Sequence, residues 1–392
     1  MSDPTIWESG HTRKETLRYG AAGLVGLSAL DLFAASGAAA TTRGSEALAA
    51  ARRLAPWDST RPKGPATGLP RRIAWANTAA AEFFLALTAG MKDASKRRKM
   101  DFVTAISGND PAKNIEQMES FLARGVGTLM MQPLDLATQR PVMIRALKAG
   151  ICVEGLITFP TTLQIAASQY TVGYTQGKAA ADYAKKRLGG KAEVLYMNLD
   201  SLAPALVVRH KGVLAGLKTG GSGVKVVSDQ GVDVSVETGF KVMSTVIQAK
   251  PNIKIVLGGD SAVIGAYQAL DQAGKLSNDM YLSGVDGDSQ ALALVKKGGA
   301  YKASIAFAWK LMGYGLGQFG ADWIEGKSIP RVMVAAPILL DSPAKVRKYE
   351  SDSANPAATF ASRARYEKYL PLLGNVSYAT RKLYWKKEYV PA

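Results

Sequence analysis

The chain has 392 residues, 47% hydrophobic and 21% charged, which is enough apolar material for a sizeable core and about two domains, and excludes a disordered or fibrous protein. One cysteine, Cys152, excludes an intramolecular disulfide, and one cysteine with two histidines excludes the usual zinc clusters. Of the formal charge of +17, residues 41–72 (seven basic side chains against two acidic) and 341–392 (ten against five) supply more than half, so most of the excess reads as a solvated linker and tail, with an anionic surface or acidic partner as the alternative.

At the start, the charged segment Thr12-Arg13-Lys14-Glu15-Thr16-Leu17-Arg18 precedes an apolar stretch over 19–30 and small residues over 34–40. That is the order of an export signal peptide, expected over residues 1–40. The charged segment resembles a twin-arginine motif with Lys14 in place of the second arginine, so the twin-arginine and general secretory routes both stay open. The apolar run is short, rich in Gly and Ala and followed by Asp31, which argues against a membrane span, and no cysteine stands nearby to carry a lipid. The expectation is an exported, soluble periplasmic protein; a cytoplasmic amphipathic helix is the alternative reading of this segment. Pro56, Pro62, Gly64, Pro65, Gly68 and Pro70 mark residues 41–70 as linker, so the fold should begin near Arg71.

From Arg72 to Leu340, short β-rich runs alternate with helical stretches at the spacing of parallel βα units. Ile73-Ala74-Trp75-Ala76 and Phe102-Val103-Thr104-Ala105-Ile106 predict the first two strands, with Trp75 in the core. Thr128-Leu129-Met130-Met131 predicts the third, and Ile151-Cys152-Val153 opens a connecting strand. The pattern repeats at Glu193-Val194-Leu195-Tyr196-Met197, Lys225-Val226-Val227, Ile253-Lys254-Ile255-Val256-Leu257 and Met280-Tyr281-Leu282-Ser283-Gly284-Val285. Two open α/β lobes follow, each with its ligand side at the strand carboxyl ends. Beyond residue 341 the alternation stops. The aromatics there (Tyr349, Phe360, Tyr366, Tyr369, Tyr378, Tyr384, Trp385, Tyr389) predict a C-terminal extension of short helices packed on a lobe surface.

Over about residues 71–341 an ordered set of segments resembles a family. The set comprises Phe83-Phe84; Asn109-Asp110-Pro111-Ala112-Lys113-Asn114-Ile115-Glu116-Gln117; Met131-Gln132-Pro133-Leu134-Asp135; Gly258-Gly259-Asp260; and Gly284-Val285-Asp286-Gly287-Asp288. The resemblance is to the periplasmic sugar-binding proteins of ABC importers, ribose-binding-like. It implies the type I periplasmic-binding-protein fold: two doubly wound parallel-sheet lobes joined by a hinge of crossing segments. Carried onto this chain, the crossings fall near 169–173, 306–309 and 335–337. The first lobe is then 71–171 with 308–335, and the second 172–307 with 336–341. The partners implied are a small solute, sugar or polyol, and a membrane permease, with no cofactor, no metal and a monomeric state.

A sugar presents an apolar C–H face and a rim of hydroxyls, so its site needs aromatic side chains and hydrogen-bonding groups around the edge. Phe83 or Phe84 is expected to stack on the ligand; the other reading is a helix whose core face starts there. Asp286, at a strand carboxyl end, is expected to accept hydroxyls or else to shape an Asp-Gly turn. Arg209 matches the family's ligand-binding arginine, whose fork donates to two oxygens, or it is an exposed helix cation. Asp260 reads as an acceptor or a helix cap. Gln132 keeps an amide where the family often has asparagine, whereas Gly259 loses one. Phe307 and Trp309 replace the polar residue and proline of the second crossing and suggest a more aromatic pocket. Asn77 and Asp200 are weaker candidates, each as readily a turn residue, and His210 reads as a rim residue. The segment from Glu154 to Pro160 lacks the Asp-Arg pair of many sugar binders.

There is no Gly-x-Gly-x-x-Gly, P-loop or Gly-x-Ser-x-Gly elbow, and no compact basic three-helix module precedes Arg71. Nucleic-acid binding and catalysis are therefore not expected. A non-sugar ligand on the same fold is the main alternative, followed by an enzyme or a repressor-like sensor.

Overall fold

The computed structural model describes residues 68–156 and 160–373. The expected signal peptide, the linker up to residue 67 and the last four tail aromatics lie outside the described residues.

The first lobe opens with β1 (Arg72–Asn77), α1 (Glu82–Arg97), β2 (Asp101–Ile106), α2 (Pro111–Ala123), β3 (Thr128–Met131), α3 (Leu136–Lys148), β4 (Cys152–Leu156) and β5 (Leu163–Ala166). The second continues with α4 (Gln169–Arg187), β6 (Ala192–Asn198), α5 (Pro204–Lys218), β7 (Val224–Gly231), α6 (Val236–Ala249), β8 (Ile253–Leu257), α7 (Asp260–Gln272), β9 (Tyr281–Asp286), α8 (Ser289–Lys297) and β10 (Tyr301–Ala306). The chain then returns through α9 (Trp309–Ile324) and β11 (Val332–Val334) to the first lobe and through β12 (Ile338–Leu340) to the second. The extension forms α10 (Pro343–Ala354), α11 (Pro356–Phe360), α12 (Arg363–Tyr366) and β13 (Leu372–Leu373).

The strands make two sheets, in the orders β13-β11-β5-β4-β3-β1-β2 and β12-β10-β9-β8-β6-β7. Both are mixed: β13 runs antiparallel to β11, and β12 antiparallel to β10. The inner strands are covered by helices on both faces, which is why β3 (TLMM) is buried throughout, while β2 at an edge has only exposed and half-buried residues. One crossing differs from the expected position. The chain leaves the first sheet between Ala166 and Gln169, and residues 169–173 already form the first turns of α4, where the Ser168 hydroxyl accepts from Thr171 N–H.

Glycines let three helix pairs meet backbone to backbone. A Cβ on Gly90 of α1 would lie 2.0 Å from the Lys310 carbonyl oxygen of α9, and one on Gly239 of α6 2.0 Å from that of Ala262 in α7. On Gly173 of α4 it would lie 1.9 Å from the Arg209 carbonyl oxygen of α5, so this contact also fixes where Arg209 stands. One apolar cluster runs from Trp75 and Met130 in the first lobe through Phe307 at the hinge to Leu195 and Leu282 in the second.

The extension is more than a surface layer. Phe360 of α11 packs edge-on against Tyr314 and Phe319 of α9, and β13 adds a strand to the first lobe's sheet.

Candidate functional site

The loops at the strand carboxyl ends meet where β9 passes into α8. Asp286 holds φ 115° there, a conformation non-glycine residues rarely adopt, and Gly287 follows with φ 78°. The loop is tied to Asp260, in the first turn of α7. One Asp260 oxygen accepts from Gly287 N–H (2.8 Å), Asp288 N–H (2.9 Å) and the Ser304 hydroxyl (2.7 Å), and the other from the Tyr301 hydroxyl (2.7 Å). The expectation for Asp260 is thereby corrected. It is 1% exposed and shapes the loop that presents Asp286, with Gly259 rather than Asp260 at the helix cap. A Cβ on Gly284 would fall 1.9 Å from an Asp260 carboxylate oxygen, so a glycine is needed on β9 to admit it.

Two aromatic side chains from different elements converge beside Asp286. The ring of Phe83 on α1 lies 5.1 Å from that of Trp309 at the start of α9, at 39°, and Trp309 Nε1 donates to the Asp286 carbonyl oxygen at 3.3 Å. Together they line a cavity of about 290 Å³, at the small end of the range for ligand pockets. The other two aromatic candidates are placed differently. Phe84 is 4% exposed and packs edge-on to Trp75, because adjacent helical residues point about 100° apart and only one of the pair can face the cavity. Phe307, 2% exposed, supports Trp309 with ring centroids 5.2 Å apart.

The rim of the cavity is acidic. Burial raises the Asp286 carboxyl above its ordinary value, and the Arg209 guanidinium opposes that rise. Asp288 is pushed up to about 7 by burial and by the neighbouring Asp260, Asp286 and Glu82. Asp260 is pushed up to about 6 by burial, against its hydrogen bonds. Glu82 reaches from the first lobe to the start of α8 in the second, accepting from Ser289 N–H and from its hydroxyl, each at 3.2 Å. Sequence reasoning missed Glu82 and Asp288. The Gly-Asp step in Gly284-Val285-Asp286-Gly287-Asp288 was the available signal for Asp288; none marked Glu82.

Arg209, 8% exposed on α5, donates from Nε to the Gln169 side-chain oxygen (2.8 Å) and lines a smaller recess with Tyr196, Leu206 and Gly259. Its neighbour His210 stands between two carboxylates, Nδ1 2.8 Å from Asp200 and Nε2 2.9 Å from Asp229, with its ring 4.8 Å from that of Tyr196. Asp200 is therefore engaged with a helix rather than turned to the cavity. Asn77 is 1% exposed and accepts from Ala79 N–H (3.2 Å), closing a turn, and the Gln132 side-chain oxygen accepts from the Thr78 hydroxyl (3.1 Å). Both order the segments that follow β1 and β3. Among the described residues no group of three or more His, Cys, Asp or Glu is placed to hold a metal, and no helix is long and apolar enough to cross a membrane.

Two α/β lobes between which the chain passes four times, with an aromatic and acidic cavity at the strand carboxyl ends, define a two-lobed solute-binding protein. Residues 73–328 match the model of the periplasmic binding protein domain, and the chain belongs to that family. It is 25% identical over 265 residues to the ribose import binding protein of Bacillus subtilis, covering 66% of this chain and 83% of that one. An ABC transporter solute-binding protein from Bacillus halodurans with bound myo-inositol superposes with a TM-score of 0.63 at 20% identity, over 73% of this chain and 99% of that one. A twin-arginine translocation pathway signal protein from Burkholderia phytofirmans superposes with a TM-score of 0.66 at 20% identity, over 79% of this chain and 99% of that one.

Proposed function

We propose that this chain is the extracytoplasmic solute-binding component of an ABC importer, taking a sugar or polyol of monosaccharide size and delivering it to a membrane permease. The observation that carries the ligand class is the pairing of Phe83 and Trp309 with Asp286 around one cavity of about 290 Å³. Rings can cover the C–H face of a sugar while a carboxylate accepts its hydroxyls. The Bacillus subtilis relative is named for ribose and the Bacillus halodurans structure holds myo-inositol, which supports a hydroxylated ligand of this size.

Mechanistically, α1 belongs to the first lobe and the β9–α8 loop to the second, so a ligand between Phe83 and Asp286 contacts both. It then stabilises the closed arrangement in proportion to its preference for it. The Glu82–Ser289 contact spans the same two lobes and adds to closure. No covalent step is assigned. The protein acts as an exported monomer.

Thermal melts of the chain from residue 41, with ribose, allose, myo-inositol and glycerol, test the reading. A ligand at a few hundred times its dissociation constant adds roughly 3–4 kcal/mol. Stabilisation by a sugar or polyol supports it, and a flat response overturns the ligand class. A second reading, a non-sugar ligand, is favoured by the absence of the Asp-Arg pair between Glu154 and Pro160 and by Phe307 and Trp309 at the second crossing. Small aromatic acids and lactones in the same panel decide between the two.

A further inference from the structure

The extension contributes to the cavity. Tyr349, Glu350 and Ser353 of α10 line it together with Phe83, Asp286 and Trp309. The family match ends at residue 328, so these three residues come from chain beyond the matched domain.

Three sets of contacts hold α10 in place. The Tyr349 hydroxyl donates to the Phe307 carbonyl oxygen at 2.8 Å, fixing the helix to the hinge crossing below Trp309. Glu350 pairs with Lys296 of α8 at 2.6 Å, fixing it to the second lobe. Asp352, 1% exposed, accepts from Lys348 (2.6 Å), Arg365 (3.1 Å), Lys368 (3.1 Å) and the Tyr369 hydroxyl (2.5 Å). These cations and the hydroxyl hold its carboxyl well below the usual range despite its burial. The network ties α10 to the segment that runs on into β13 of the first lobe's sheet. Tyr349 and Ser353 are four residues apart and share one face of the helix. That face approaches the ligand loop closely, since the Tyr349 hydroxyl oxygen lies 3.6 Å from where a Cβ on Gly287 would stand.

We infer that α10 is a third wall of the ligand cavity, and that Ser353 and Glu350 set which hydroxylated ligands fit by limiting their size and by pairing with the hydroxyl or hydroxymethyl group directed away from Phe83. The inference rests on the sugar-or-polyol reading above. With walls from the two lobes alone the cavity would be open on the α10 side, and substituents there would meet only water. With α10 in place they meet a carboxylate and a hydroxyl, which hydrogen-bond a polar substituent and leave an apolar one with their desolvation cost.

The test is isothermal titration of ribose, allose and myo-inositol into the parent, Ser353→Phe, Glu350→Gln, Asp286→Asn and Arg347→Ala, the last an exposed α10 position outside the cavity. Ser353→Phe is expected to weaken allose and myo-inositol at least tenfold and ribose less, and Glu350→Gln to weaken the ligand that reaches it three- to tenfold. Arg347→Ala should bind as the parent does. If Asp286→Asn weakens binding while Ser353→Phe and Glu350→Gln leave all three affinities unchanged, the third wall is overturned and the function stands. If none of the three sugars binds the parent, the functional reading fails and takes this inference with it. Should Ser353→Phe not melt cooperatively, Ser353→Cys alkylated after folding poses the same steric question on an already folded protein.

Discussion

Asp260 offers a contrast between two substitutions at one buried site. Its pKa moves from 3.8 to about 6 in the folded chain because burial outweighs its hydrogen bonds, a preference for the neutral form of about 3 kcal/mol. A neutral isostere should therefore be tolerated. In Asp260→Asn the amide oxygen can accept from Gly287 N–H, Asp288 N–H and Ser304, and the Tyr301 hydroxyl can turn to accept from the amide nitrogen. This variant is expected within about 1 kcal/mol of the parent at pH 7.5. Asp260→Ala instead leaves the Asp288 N–H and the Tyr301 and Ser304 hydroxyls without their acceptor, while Gly287 N–H keeps Ser304 Oγ at 3.2 Å; at about 1–3 kcal/mol for each unpaired group, roughly 4 kcal/mol should be lost. The sign of the pH dependence follows from the raised value. Folding favours the protonated carboxyl, so this group's contribution is fully present below 3.8 and is lost as pH rises through about 6. Urea melts at pH 4.5 and 7.5 measure both effects. The parent should lose stability across that interval from this group, and Asp260→Asn should show a shallower fall. An Ala variant as stable as the parent, or an Asn variant as damaged as the Ala variant, would refute the argument.

Three further outcomes are expected. Asp286→Asn should lower sugar affinity at least tenfold in titration calorimetry while the melting temperature stays within a few degrees; undiminished binding would remove Asp286 from the site. Gly173→Ala, whose Cβ would lie 1.9 Å from the Arg209 carbonyl oxygen, should force α4 and α5 apart at a cost of about 1–3 kcal/mol, seen as a lowered melting temperature. Glu82→Ala removes the bonds to Ser289 that bridge the lobes, so affinity should fall several-fold and small-angle scattering should show a larger radius of gyration with ligand present; an unchanged radius and affinity would mean the contact does not contribute to closure.

The sequence is informative about the lobes because parallel strands buried on both faces must be continuously apolar, and each one (Thr128-Leu129-Met130-Met131 is an example) is flanked by helical spacing. The short strands β5, β11, β12 and β13 carry no such signature. They are two to four residues long, and their partners are set by contacts far along the chain. At the candidate cavity, Phe83, Trp309 and Asp286 are singled out by residue type and position, and the structure brings them together. The role of Asp260 was not, since an aspartate after Gly-Gly reads equally as a cap or a ligand group, and only the approach of Gly284, Tyr301 and Ser304 from other strands turns it inward. The part of α10 was hidden for a related reason: its aromatics announce packing, but nothing local says against what.

The pairing of β13 with β11 has a consequence for the order in which this chain becomes a finished protein. The second lobe has five of its six strands in hand once residue 306 has been made. The first lobe waits for β11 and then for residues 372–373 to complete its sheet. Until residues 372–373 have been made, the earlier-made lobe is therefore short of an edge strand and exposes a row of unpaired backbone groups along β11. Changes at residues 372–373 thus act on the lobe built from the N-terminal half of the fold, not on the lobe that lies nearer to them in sequence.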